Sequence, residues 1–209
     1  ARKLSVGCVG GRDSLILSGR VHLNESPGHD PGLAAMVRLQ TELLIHLGAR
    51  RLVVTSAAGS LDPRIGVGDV VVVDGFVTLF APPMPLWAGE FCSPEDVLTD
   101  CTATIAGAAG EHTGVRVGGY AMVRGPFFEG RRYDKAVLAS TGASVVGMSV
   151  LPEACVAALY PGVDVLALAH VTNTAAEEHS HEENLLRADA RSGVLSAVLS
   201  TAAEVFFES

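Results

Sequence analysis

Charged side chains are scarce in this chain: only 18% of its 209 residues are Asp, Glu, Lys or Arg, while 48% are apolar. With a mean hydropathy of +0.35, that balance excludes a disordered chain, which could not bury enough apolar surface to order itself. Basic residues are the minority, 15 against 23 acidic ones for a net charge of −8, so the broad basic face used in general nucleic-acid binding is missing. A small anion can still be held locally by Arg, His and backbone N–H groups. The four cysteines, Cys8, Cys92, Cys101 and Cys155, show neither a CxxC pair nor Cys/His metal spacing. This argues against a disulfide framework and leaves no metal site to propose. Cys8 and Cys155 sit in apolar runs and are expected to be buried. No apolar run reaches membrane-spanning length, and Ala1-Arg-Lys-Leu4 does not continue as a secretory signal would, so the expected setting is a reducing cytoplasm. G-x-G-x-x-G, Walker, G-x-S-x-G and HExxH signatures are absent.

What remains is an alternation of short apolar strands and helical patterns, without repeats or low-complexity linkers. That order predicts a single α/β domain with a mixed central sheet flanked by helices. Lys3–Val9 and Asp13–Val21 read as a hairpin turning at Gly10-Gly11. Leu33–Leu47 has helical spacing and stops at Gly48. Arg51–Thr55 reads as a buried strand and Val67–Asp74 as another. Residues 96–109 read as a helix, 116–123 as a strand and 132–140 as a helix. Val145–Gly147 is a strand, 152–159 a helix and Val163–Val171 a fully apolar strand. A long C-terminal helix is expected over 182–208, with Ser192-Gly193 as its point of weakness. Phe80–Phe91 is irregular and apolar, holds the single tryptophan Trp87, and needs cover from a ligand, a partner or its own core.

The stretch with most chemistry is Val145-Val-Gly-Met-Ser-Val-Leu-Pro-Glu153, a buried strand ending at small and polar groups before a helix start. Arg20 and His22 are two residues apart, so on a strand they share a side. A guanidinium beside an imidazole suits an oxyanion such as phosphate; an ordinary surface pair fits these residues equally well. Ser56-Ala-Ala-Gly-Ser60 reads as a small-residue turn whose N–H groups could cradle an anion, or simply pack tightly. Glu153 is assigned to the helix that follows Pro152 and is left out of the site.

Five segments taken in order resemble the purine nucleoside phosphorylases of the trimeric type and their methylthioadenosine-cleaving cousins. They are Gly19-Arg-Val-His22, Val54-Thr-Ser-Ala-Ala-Gly-Ser-Leu61, Gly125-Pro-Phe-Phe-Glu129, Gly147-Met-Ser-Val-Leu-Pro-Glu153, and Thr172-Asn173 with Ser180-His-Glu-Glu183. The resemblance implies a nucleoside phosphorylase-like three-layer sandwich over residues 1–209. It implies phosphate contacts from Arg20, His22, the backbone N–H of Ala57 and Ser149. Met148 would floor the ribose and His181 would bond its 5′-hydroxyl. Phe128 would stack on the purine, Glu129 would take its N1–H edge, and Asn173 would bond O6 and N7. His22, Asn173 and His181 would be the catalytic set. Trp87 would reach the sugar site of a neighbouring subunit in a homotrimer.

The implied reaction is phosphorolysis of inosine or guanosine in purine salvage, giving the base and ribose 1-phosphate. Inorganic phosphate is the co-substrate, with no cofactor, metal, nucleic acid or membrane involved. An Asp in place of Asn173 would suit a 6-amino purine; the carboxamide favours a 6-keto one. The family's leading Gly-Ser-Gly phosphate turn has no counterpart here, and the chain reads as starting after it, leaving a sheet edge for a neighbour to cover. Asn24 stands where the family often has Tyr, and Ser56 where it often has Asn. A non-catalytic purine-binding relative, a nucleoside hydrolase and a methylthio-nucleoside phosphorylase therefore stay open as alternatives.

Overall fold

The run Val70-Val-Val-Val73 shows how the fold is built, because all four side chains are fully buried. Successive strand residues point to opposite faces, so a strand apolar throughout must be covered on both. In the computed structural model, which describes residues 2–26, 30–109, 114–125, 130, 132–174 and 192–207, both covers are present. Val70 and Val72 face a cluster with Ile105, Ala109, Val198, Ala202 and Phe206. Val71 and Val73 face the larger cluster with Tyr120, Met122, Val145, Leu151 and Ala154. Leu166 and Leu168 divide from Val165, Ala167 and Ala169 in the same way.

Strands β1 (Lys3–Val9) and β2 (Arg12–Ser18) form the expected antiparallel hairpin. Its turn falls on Gly10 and Gly11, both at positive φ, where glycine carries no steric penalty. The hairpin is a separate two-stranded sheet. The other strands are β3 (Arg51–Ser60), β4 (Val70–Val77), β5 (Val115–Met122), β6 (Val145–Gly147) and β7 (Asp164–Asn173). They close into a barrel in the order β3-β6-β5-β4-β7. The mixed character is as expected: β3–β7, β4–β5 and β5–β6 are parallel, β3–β6 and β4–β7 antiparallel. Among the described residues this closure leaves the central sheet without the open edge that the sequence suggested.

Helix α1 (Pro31–His46) begins a little before the expected Leu33. The Asp30 carboxylate caps it, accepting from Gly32 N–H at 2.9 Å and Leu33 N–H at 3.2 Å, and Pro31 takes the first turn. Its inner face is Ala34, Val37, Thr41 and Ile45, while Met36, Leu39, Leu43 and Leu47 face outward. Helix α2 (Thr102–Ala109) is shorter than the sequence implied. Residues 97–99 pair instead with β7, with Val165 N–H donating to Val97 and Thr99 N–H to Val165, so their backbone groups are already used. Helices α3 (Asp134–Ser140), α4 (Leu151–Ala157) and α5 (Ser192–Val205) complete the layer. Residues 182–191 of the expected C-terminal helix lie outside the described residues. No described helix is long and apolar enough to cross a membrane.

Two further expectations are corrected. Ser56–Ser60 is no turn: β3 runs through it, paired with β7 and irregular only between Ala58 and Gly59. Cys8 is exposed, since no described residue covers that side of the hairpin, whereas Cys155 is buried in α4.

Candidate functional site

The segment after β2 leaves the hairpin at Gly19, whose φ of 74° turns the chain. Residues 20–22 are therefore not strand, contrary to expectation. His22 is extended nonetheless, with φ −118° and ψ 140°, and the buried Gln40 of α1 grips Val21 on both backbone groups. Val21 N–H donates to Gln40 Oε1 at 2.8 Å, and Gln40 Nε2 donates to the Val21 carbonyl at 3.1 Å. Arg20 and His22 line the same cleft on either side of this fixed Val21, as two positions two residues apart were expected to.

His22 caps a single 3₁₀ turn, Leu23–Glu25. Its Nδ1 accepts from Asn24 N–H at 3.2 Å, and its own N–H donates to Glu25 Oε1 at 2.7 Å. An accepting Nδ1 places the proton of the neutral ring on Nε2. Nε2–H points at Ser149 Oγ, 3.1 Å away. Glu25 is held below its ordinary carboxyl value by its hydrogen bond from Arg2 and then by His22 N–H.

Ser149 lies in a turn whose position is set from below. Tyr120, on β5, is fully buried, and its hydroxyl accepts from Ser149 N–H at 3.2 Å and meets Ser56 Oγ at 3.2 Å. Desolvation raises the Tyr120 pKa, partly offset by Ser56, so the phenol stays neutral as this double contact requires. Gly147 is obligatory here: a Cβ would stand 2.1 Å from the Tyr120 hydroxyl. Val150 then adopts φ 74° and ψ −49°, with Leu151 N–H donating to the Ser149 carbonyl at 2.9 Å. That is a γ-turn at positive φ, rare for a β-branched residue and costing about 1–3 kcal/mol. Strain of this kind persists where surrounding contacts over-determine a turn, and it marks functional segments.

Arg20, Val21, His22, Leu23, Val37, Met148, Ser149, Pro152 and Glu153 line one cleft. The Met148 sulfur is 3.1 Å from Asn24 Nδ2. A Cβ on Gly125 would lie 2.2 Å from that same amide nitrogen, so Gly125 stands against Asn24 beside the cleft. Arg20 Nη2 donates to the Thr55 carbonyl on β3, two residues before Ala57. Ala57 is exposed on that strand. Asn173 ends β7, 3% exposed, with Oδ1 accepting from Thr172 at 3.1 Å. It packs on Gly59, which pairs with Val146 just before the Gly147–Val150 turn. Arg20, His22, Met148 and Ser149 are thus brought together, with Asn173 reaching the turn through Gly59. Phe128, Glu129 and His181 lie outside the described residues.

Trp87 is not among the described residues lining the cleft. It is 44% exposed and lies under the Arg38 guanidinium, 5.0 Å from ring centre to Cζ. Glu90 binds both ends of this arrangement, accepting from Arg38 at 2.5 and 3.0 Å and from Trp87 N–H at 2.7 Å.

Two residues escaped sequence reasoning. Tyr120 had a signal, since a tyrosine in a buried strand must find a partner for its hydroxyl. Glu153 had one too: it is the single charge in a wholly buried helix, and buried carboxylates need cations. Its Oε1 accepts from Arg20 Nη1 at 2.7 Å rather than serving the helix N-terminus. Among the described residues no group of His, Cys, Asp or Glu could hold a metal ion. The arrangement offers a guanidinium, an imidazole N–H and a hydroxyl to one small oxyanion.

A family model described as the phosphorylase superfamily matches residues 3–204. The chain is 33% identical over 195 residues to the purine nucleoside phosphorylase of Mycobacterium tuberculosis, covering 91% of this chain and 69% of that one. It is 30% identical over 202 residues to the mouse purine nucleoside phosphorylase, covering 90% and 66%. A probable S-methyl-5′-thioinosine phosphorylase of Methanothermobacter thermautotrophicus is 34% identical over 134 residues, covering 63% and 48%. The chain thus spans about two thirds of the two purine nucleoside phosphorylases. Among solved structures, a Schistosoma purine nucleoside phosphorylase in complex with guanosine superposes with a TM-score of 0.80 at 25% identity, covering 98% of this chain and 79% of that chain.

Proposed function

The chain belongs to the phosphorylase superfamily, within it to the purine nucleoside phosphorylases, and from that premise we propose that it cleaves inosine and guanosine with inorganic phosphate. The observation that carries this reading is the convergence of Arg20, His22 Nε2–H and Ser149 Oγ on one cleft. Charge-assisted donors of that kind suit a phosphate dianion. The Ala57 N–H would complete the set. Phosphate would attack C1′ as the purine leaves, and a dianion beneath the cationic sugar stabilises it in the transition state.

Met148 would form the ribose floor, with His181 at the 5′-hydroxyl. Phe128 and Glu129 would hold the base. Asn173 would donate to N7, where charge gathers only as the bond breaks; a hydrogen bond strengthening at that moment accelerates the step. Its carboxamide also matches a 6-keto group. The exposed Leu79, Phe91 and half-exposed Trp87 support a homotrimer in which this loop meets a neighbour, and light scattering of the eluted protein would measure that mass. The product pair would be a purine and ribose 1-phosphate, with no cofactor, in the cytoplasm.

The experiment is base release from a panel of inosine, guanosine, adenosine and methylthioinosine, with and without phosphate. Phosphate-dependent release from inosine and guanosine supports the proposal. Release only from methylthioinosine would move the substrate to that relative's class, and release indifferent to phosphate would make the protein a hydrolase.

A further inference from the structure

Helix α4 reads Leu-Pro-Glu-Ala-Cys-Val-Ala, and all of these residues are buried. A carboxylate among them carries a heavy desolvation penalty unless a cation answers it. Arg20 is that cation, 2.7 Å from Oε1, and the Glu153 side chain is only 9% exposed. The second oxygen, Oε2, is buried and has no hydrogen-bond partner among the described residues, so Arg20 carries the carboxylate's visible compensation. Both residues line the cleft that holds His22 and Ser149. The cleft therefore contains an anion of its own, set against the guanidinium proposed to bind phosphate.

We infer that Glu153 sets the affinity of the oxyanion site: a buried counterion that shares Arg20 with the incoming anion. The inference rests on the phosphate reading above. Glu153 keeps the guanidinium poised and neutralised while the cleft is empty, and it weakens the hold on any dianion that enters. Such weakening has a use, because ribose 1-phosphate carries the same phosphate group and must leave after each turnover. A cleft with Arg20 unopposed would bind substrate anion well and release product anion slowly.

Glu153→Gln separates charge from shape, since its amide oxygen can still accept from Arg20. Titration calorimetry of the full chain with inorganic phosphate should give a Kd lower by about tenfold in this variant, the scale expected for one unit charge removed a few ångströms away in a partly screened site. With inosine and phosphate, KM for phosphate should fall and kcat should fall with it, while KM for inosine stays within about twofold; a merely structural role would raise KM instead. Glu153→Asp, which keeps the charge, should stay near the wild-type Kd. If Glu153→Gln does not fold, Glu153→Asp against Glu153→Asn repeats the comparison of charge on and charge off. Unchanged or weaker phosphate binding in the neutral variant overturns the inference while leaving the proposed function intact. A wild-type chain that binds no phosphate removes the proposed function itself, and this inference with it.

Discussion

The hydroxyl of Tyr120 accepts the backbone N–H of Ser149 at 3.2 Å, tying the core of β5 to the turn at the cleft. Ser56 Oγ meets the same hydroxyl at 3.2 Å, so one phenol joins β5, β3 and the turn after β6.

Tyr120→Phe takes the acceptor from the half-buried Ser149 N–H, while the Ser56 hydroxyl keeps its bond to the Ala57 carbonyl at 2.8 Å. Unfolding free energy should fall by about 1–3 kcal/mol, read from urea titrations, with loss of phosphate affinity as the Ser149 turn loosens. Burial raises the Tyr120 pKa above its ordinary 10.0, so the phenol's contribution is complete below pH 10 and is lost as pH rises through the folded value. The stability gap between wild type and Tyr120→Phe should narrow above pH 10. A gap that widens there would contradict the assignment.

Gly59→Ala tests the proposed base contact of Asn173. The new Cβ would lie 2.8 Å from Asn173 Nδ2 and push the carboxamide aside. Displacement on the scale of an ångström can lower kcat/KM by up to about a hundredfold. Steady-state kinetics should show that loss toward inosine, with phosphate Kd by calorimetry unchanged.

The Arg38 network makes a prediction about acid. Burial pushes the Glu42 carboxyl up, but hydrogen bonds from Tyr160 and Arg38 outweigh it and hold the group below its ordinary 4.5. Stability from a depressed carboxyl is present above the unfolded value and disappears as pH falls through the folded one. Melting temperature should drop as pH is lowered below about 4.5, and less steeply in Glu42→Gln. Equal slopes in the two proteins would place the acid sensitivity elsewhere.

Thiol chemistry distinguishes the cysteines. Cys8 is exposed, whereas burial and the neighbouring Cys92 raise the Cys155 pKa well beyond its ordinary value. Since the thiolate is the nucleophile, iodoacetamide at neutral pH should label Cys8 within minutes and leave Cys155 unmodified until the protein is unfolded. Mass spectrometry of timed samples reads this directly.

The sequence carried the strand and helix order well, because Val70–Val73 and most of Val163–Val171 are apolar runs of strand length and α1 has helical spacing that stops at Gly48. It misplaced elements where tertiary pairing overrode local pattern. Residues 97–99 look helical but give their backbone groups to β7, and Ser56–Ser60 look like a turn but continue β3 beside β7. Closure of the barrel was invisible, since register between distant strands leaves no local trace. Arg20 and His22 share a cleft although residues 20–22 are not strand, with Gln40 holding Val21 between them. Glu153 was passed over because an acid after Pro152 is what a helix start ordinarily shows; the competing signal was the absence of any other polar residue in that helix.

The most direct measurement of the central claim is hypoxanthine release from inosine by the purified chain, followed with and without inorganic phosphate. The account predicts release that requires phosphate, saturates with it, yields ribose 1-phosphate in equal amount, and collapses in Arg20→Ala. Release that proceeds equally without phosphate, or survives the loss of Arg20 unaltered, would contradict it.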